Sequence, residues 1–280
     1  MKVTSALSLI VLFFLQLQVE TQAATVNLTE GLVAQYLFNG NANDSSGNGK
    51  HGVLNNVTAT TDRFGNTGAA YSFSGNYSFV TAPTLVPVIG ADATMLAWFK
   101  ADPTQLFGQE NIISQPRGNL PFQNQLKGLR LQINTGDGSS NFRVNAGYND
   151  SSQNIVAFGP DNSAVANGGW HYAAVTISTD STSKTLSLYL DGVLAQTASL
   201  SPTNIASDLP FFIGTQFDPF TTNNESPFIG AIDDVSVYNR ALSAEEIVAL
   251  SSVPEPSAIS LFFFGGMTLL AFRKTTKNKI

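Results

Sequence analysis

Residues 184–197 read KTLSLYLDGVLAQT. Leu186, Leu188 and Leu190 alternate with Ser187 and Tyr189, the period of two that puts one side of a strand in a core. Asp191-Gly192 follows, and a glycine there tolerates the positive φ that a tight hairpin turn needs. Strand, turn and strand are thus written in fourteen residues. The same signature spreads outward in both directions. GWHYAAVTIST (169–179), TMLAWFKA (94–101), GLRLQINTG (128–136), NFRVNAGYN (141–149), NIVAFG (154–159), FFIGTQ (211–216) and FIGAIDDVSVYN (228–239) all read as short strands. Gly, Asn, Asp, Ser and Pro clusters separate them, which predicts an all-β, two-sheet antiparallel sandwich. One helix is expected, in LSAEEIVALSS (242–252), where Ser243 and Glu246 have capping-box spacing ahead of Ile247, Val248 and Leu250.

The two ends of the 280-residue chain read differently from its middle. Residues 1–23 carry Lys2, an apolar stretch from Ala6 to Leu17 and a run to small residues, the layout of a secretory signal peptide cut after Ala23. Residues 253–280 open with Val253, Pro254, Glu255 and Pro256. An uncharged run over 258–272 follows, and then Arg273, Lys274, Lys277 and Lys279. As a helix that run is about 22 Å long, short of the roughly 30 Å hydrocarbon core. It would halt in a membrane with its basic tip on the cytoplasmic side. The domain is therefore expected over 24–252.

That domain holds nine cations against eighteen acids, a formal charge of −9. Such a surface argues against nucleic acid, whose phosphates need neutralising. The chain has no cysteine, which excludes disulfides, thiolate metal sites and thiol catalysis.

Chemistry is sparse. Gly47-Asn48-Gly49-Lys50-His51-Gly52 is formally G-x-G-x-x-G, but no helical pattern follows it, so it reads as a loop. His171 lies on an apolar face with Ala173, Val175 and Ile177, the setting of a hydrogen-bonded structural histidine; Trp98 and Trp170 are read as strand residues that pack. A glycosidase needs two carboxylates facing across one bond. Glu110, Glu225, Glu245 and Glu246 offer no such pair in sequence. A hard cation wants six to eight oxygens from carboxylates, amides and carbonyls. The loop NANDSSGNG (41–49) supplies Asn43, Asp44, Ser46 and Asn48, and AIDDV supplies Asp233 and Asp234. Consecutive strand residues face opposite ways, so at most one of that pair is expected to point toward the loop. Three polar stretches mix amides with aromatics, as sugar recognition does: 114–127, 148–154 and 215–227. Their candidate ligand-binding residues are Arg117, Asn124, Tyr148, Asn149, Phe217, Asp218, Phe220 and Asn223.

GLVAQYLFNGNANDSSGNGKHG, RFGNTGAAYSFSGNYSFV, TMLAWFKAD, NIISQ, GWHYAAVTIS, LSLYLDGVLA, FFIG and FIGAIDDVSVYNRALSAEEI follow one another in the order of a laminin-G-like, concanavalin A-like jelly roll. The chain resembles that family over about residues 31 to 250. The resemblance implies a jelly-roll sandwich on a scaffold shared by lectins, adhesive modules and glucanases. It also implies a calcium ion joining the first loop, through Asp44 and Asn48, to Asp233 of the last strand. Catalytic members carry Glu-x-Asp-x-x-Glu or a similar strand motif, which this sequence lacks. The tail resembles the PEP-CTERM sorting signal, with Val253 to Pro256 as its motif and Arg273 and Lys274 as its basic end. That implies a transient inner-membrane intermediate, an exosortase-type processing enzyme as partner, and delivery to the cell surface or extracellular matrix. The expected function is an exported, non-catalytic module that binds polysaccharide or matrix glycan. A structural matrix component without a small ligand, or a glucanase of this fold, are its alternatives.

Overall fold

The computed structural model describes residues 27–252, apart from residues 76, 87, 90, 105–107, 117–127, 135–142, 150–153, 161–164, 166, 182, 201–203 and 219–222. Both terminal segments, with the expected leader and sorting tail, lie outside the described residues.

Two antiparallel sheets face one another. In the eight-stranded sheet, β14 (Val193–Leu200), β13 (Ser183–Leu190), β12 (His171–Asp180), β7 (Ala93–Ala101), β19 (Ile229–Tyr238), β4 (Thr67–Ser74) and β3 (Thr58–Thr61) lie side by side, and β1 (Leu32–Tyr36) pairs with β19. In the seven-stranded sheet the order is β11 (Asn154–Phe158), β10 (Arg143–Asn149), β9 (Leu129–Asn134), β8 (Gln109–Gln115), β16 (Phe211–Ile213), β5 (Phe79–Ala82) and β2 (Val53–Asn55). Two small ladders complete the described strands, β6 (Val88–Ile89) with β15 (Ile205–Ala206) and β17 (Gln216–Asp218) with β18 (Asn223–Glu225). Among the described residues this is the expected two-sheet sandwich with one short helix, α1 (Ala244–Ser251).

The β13–β14 hairpin turns where the sequence says. Leu190 pairs with Val193, and Asp191 and Gly192 take φ of 50° and 80°, the two left-handed residues of a primed turn. The alternating leucines Leu186 and Leu188 point into the main core, against Val175 and Ile177 of β12 and the inward residues of the second sheet.

The outer face of the first sheet is covered as well. Leu96, Tyr172, Ala174, Tyr189 and Tyr238 form a second apolar layer with Leu242 and Ile247, the latter on α1. Central strands β7 and β19 are thus buried on both faces, which is why ATMLAWFKA reads as a nearly continuous apolar run. Ser243 caps α1 by accepting the Glu246 N–H, while the Glu246 carboxylate accepts the Ser243 N–H at 2.8 Å. Among the described residues no helix is long and apolar enough to cross a membrane.

One local feature departs from strict alternation. The β19 ladder shifts register between Asp233 and Ser236, and Asp234 takes φ 45°. A bulge with a left-handed residue swings one side chain out of its alternating place. Asp233 and Asp234 therefore reach the same partner, Arg63, at 3.0 and 2.7 Å. The expectation that neighbours on this strand point oppositely is corrected by that bulge.

Candidate functional site

Asp44 follows β1 and forms an isolated bridge with Tyr36. Its Oδ1 accepts the N–H groups of Gln35 at 3.0 Å and Ser46 at 2.9 Å, and its Oδ2 accepts that of Lys50 at 2.9 Å. Burial works to raise its pKa. The bonds from Ser46, Gln35 and Lys50 outweigh it and hold the carboxyl below its ordinary 3.8. The Asn48 amide donates to the carbonyls of Leu32 and Val33 at 2.9 and 3.1 Å. The loop is thus an acceptor wrapped in backbone donors, braced by His51, whose Nδ1 accepts the Asp44 N–H. Gly47 and Gly49, at φ 90° and 69°, supply its left-handed turns, and β2 follows it rather than a helix.

Asp233 is fully buried and bonded to the Arg63 guanidinium. The three residues expected to share a calcium are engaged separately: Asp44 accepts three backbone donors, Asn48 donates to the β1 carbonyls, and Asp233 is bonded to Arg63. Among the described residues no three His, Cys, Asp or Glu side chains gather as a metal site.

His171 is held in place by structure. Its Nδ1 lies 3.0 Å from Asp191 Oδ2, and the other oxygen of Asp191 accepts the Tyr172 N–H at 2.9 Å. Burial works to raise Asp191's pKa, but these two bonds bring it below the ordinary value. Trp98 lies in β7 and packs on the second apolar layer, whereas Trp170 directly precedes β12 rather than lying within a strand.

The ligand candidates separate. Arg117, Asn124 and Phe220 lie outside the described residues. Tyr148 is a correction. It pairs with Leu129 and is fully buried in the main core, because NFRVNAGYN alternates and puts Val144, Ala146 and Tyr148 inward. Asn149 ends β10 opposite Asn154, and Phe217, Asp218 and Asn223 lie in the β17–β18 ladder, with Asp218 opposite Asn223. The connections after β8 and β10 leave one end of the second sheet. Strand β16 runs antiparallel to β8, so the β17–β18 hairpin that follows it leads toward the opposite end. The three stretches do not converge on one end.

What does converge is the other face of those strands. Arg130 and Gln132 on β9 and Asn145 on β10 point away from the core that takes Leu129, Leu131 and Ile133. Asn111 of β8 lies opposite Gln132, which lies opposite Asn145, and residues directly opposite share a face. This outward face is a row of amides flanked by guanidinium groups, its amides and Arg130 buried, with Asn145 0 % exposed and Arg130 3 %, and Arg143 half-buried at its flank. Arg130 Nε donates to Gln132 Oε1 at 2.9 Å. Burial lowers the Arg130 pKa to about 10, still far above neutral. Its guanidinium lies over Gly147, where a Cβ would stand 2.4 Å from the guanidinium carbon, so only glycine leaves it room. Both amide atoms of Asn145 and the Oδ1 of Asn111 find no hydrogen-bond partner among the described residues. Glu110, the neighbouring carboxylate, accepts the Ile229 N–H at 3.2 Å. The sequence carried this face in the outward positions of GLRLQIN and NFRVN. Strand parity places these residues outward, while the turn-rich loops carry the more conspicuous amides and aromatics.

A family model described as the concanavalin A-like lectin/glucanases superfamily matches residues 73–248. No curated protein sequence matches the chain. Among solved structures, the binding domain of Paraclostridial Mosquitocidal Protein 1 is similar at a TM-score of 0.59 and 17% identity, covering 80% of this chain and 52% of that one. The ligand-binding domain of botulinum neurotoxin serotype D, solved in complex with N-acetylneuraminic acid, gives 0.58 and 16%, covering 80% and 51%. Domain 4 of an extracellular GH43 arabinanase from Geobacillus stearothermophilus, solved with arabinotriose, gives 0.55 and 18%, covering 79% of this chain and 98% of that one. The chain spans about half the length of the toxin domains and nearly all of the arabinanase domain. At these identities the likeness is one of fold.

Proposed function

The chain belongs to the concanavalin A-like lectin/glucanases superfamily, and on that premise we propose that it is a non-catalytic module whose outward amide face on the second sheet binds a neutral glycan. The observation that carries this reading is Asn145. A buried amide with neither donor nor acceptor satisfied is costly and calls for an explanation, and at 0 % exposure Asn145 meets a glycan only when this face opens to admit it. A sugar hydroxyl donates and accepts at once, so vicinal hydroxyls meet both ends of one amide, and Asn111 Oδ1 offers a further acceptor beside it. The guanidinium of Arg130 borders the row. Two similar folds were solved with a sialic acid and an arabino-oligosaccharide, which lends the ligand class support without transferring their sites.

The non-catalytic part of the reading rests on the carboxylates. Glu110 is tied to a backbone N–H, Glu246 to Arg240, and Asp233 and Asp234 to Arg63. Each of these carboxylates is engaged by a nitrogen donor of the fold. In the same proposal the protein is exported through residues 1–23 and handed on by residues 253–280. A processing enzyme of the exosortase type would act near Val253–Pro256 and leave the domain at the cell surface or in its matrix.

The test is a glycan array probed with the full chain and with Asn145→Ala. Saturable binding to a restricted glycan set, lost in the variant, supports the reading. Self-assembly with no glycan bound would turn it to a structural role, and release of reducing sugar would make it an enzyme. The mass of the exported protein should end between Ser252 and Pro256, and recovery of chain still bearing Lys279 would remove the sorting part.

A further inference from the structure

A cavity lies on the opposite side of the molecule from the amide row, on the outer face of the first sheet, where β1, the bulge of β19 and the end of α1 meet. Its volume is about 190 Å³, and Arg63, Trp98, Tyr172, Asp234, Tyr238 and Leu250 are among its walls. A single water needs roughly a tenth of that, and a cavity of about 150 Å³ already accepts a benzene ring. The void is sized for an organic group.

Two buried polar atoms in these walls have no partner among the described residues, Asp234 Oδ1 and the Tyr172 hydroxyl. Tyr172 is only 1 % exposed, so water does not serve it from the surface. The other oxygen of Asp234 is taken by Arg63, which also holds Asp233. The guanidinium lies 4.3 Å from the Phe64 ring centre and 4.7 Å from that of Trp98, a stacked position that fixes which oxygens it meets. Asp233 and Asp234 both meet Arg63, and Asp62, 4 % exposed, is satisfied by its own turn through the N–H groups of Phe64 and Asn66.

We propose that this cavity is a seat for a primary ammonium group carried on an aliphatic stem. The ammonium donates one N–H to Asp234 Oδ1 and a second to the Tyr172 oxygen, and its charge meets the carboxylate oxygen that Arg63 leaves unpaired. The stem lies along Leu32, Leu96 and Leu250 and the Tyr238 ring. A neutral polyol would meet the two orphan atoms but lay hydroxyls against leucine. An anion meets a carboxylate. The site is independent of the amide face, which belongs to the other sheet.

The probe is n-butylammonium chloride titrated into the full chain at matched ionic strength, with n-butanol and glucose as neutral counterparts. Trp98 lines the cavity and Trp170 does not, so a Trp170→Phe background leaves fluorescence that reports on the site. The expected result is a saturable change with the ammonium, at least tenfold tighter than with butanol and absent with glucose. In Asp234→Asn the affinity should fall at least tenfold while the fold is kept, because asparagine tolerates the left-handed φ of this position. Tyr172→Phe should weaken binding several-fold. Equal affinity for butanol and butylammonium, no saturable response to the ammonium, or unaltered binding in Asp234→Asn would overturn the proposal. If that variant does not fold by circular dichroism, Tyr172→Phe and the comparison with butanol decide.

Discussion

Asp44 shows how a residue that looks like a ligand can be spent on backbone. Two oxygens accept three N–H groups from Gln35, Ser46 and Lys50, so backbone bonds tie the first loop to β1. Asp44→Asn swaps one acceptor oxygen for a donor facing an N–H, and should cost about 2 kcal/mol. For a domain of this length that is roughly 4–8 °C in melting temperature, readable by calorimetry. The pH dependence has a fixed sign. Its folded pKa lies below the ordinary 3.8, so the native state keeps the carboxylate where the unfolded chain takes a proton. The contribution is complete above the ordinary value and is lost as pH falls through the folded pKa. Stability of the wild-type protein should therefore drop more steeply below about pH 4 than that of Asp44→Asn. Chelator should leave the wild-type melting temperature unchanged, and a loss of several degrees restored by calcium would contradict this picture of the loop. Residue types alone could not separate the two readings, since a calcium loop and a self-capped turn draw on the same Asn, Asp and Gly. The direction of the Asn48 amide, donor end to the β1 carbonyls, is visible only in three dimensions.

At the scale of elements, parity was legible and its interruptions were not. The leucines of KTLSLYL, the Asp-Gly turn and the capping box appear in the structure as the sequence reads, because each is a local rule with a local cause. Tyr148 was misassigned by its neighbours. It sits beside a polar turn, yet its even spacing from Val144 and Ala146 commits it to the core. The β19 bulge breaks the same rule in the other direction, since nothing in AIDDVSV announces that Asp234 will go left-handed. Helix α1 offers a direct test of the local rules. Ser243→Ala removes an acceptor for the Glu246 N–H and should cost about 1 kcal/mol. Because Glu246 also binds Arg240, whose guanidinium reaches the Glu30 carbonyl at 2.8 Å, hydrogen exchange should quicken at the turn around Glu30 as well as in α1. Faster exchange confined to α1 would mean that the cap and the turn are uncoupled.

For the molecule as a whole, the two sheets divide the work. The inner faces supply one continuous apolar core, and the outer face of the first sheet is closed by α1 and a second layer of aromatics. The outer face of the second sheet is different, with amides and guanidiniums where the first has leucine and tyrosine. Its partnerless amide at Asn145 has no part in holding the sandwich together. Asn145→Ala is accordingly expected to melt within about 1 kcal/mol of wild type, since replacing an unsatisfied buried amide by an apolar group removes a penalty rather than a bond. The most direct measurement is a titration of the protein with a glycan selected on the array, followed by the side-chain amide resonances of Asn111 and Asn145. The account predicts that both move and saturate together with the heat of binding. Glycan binding that leaves these two amides unmoved would contradict it.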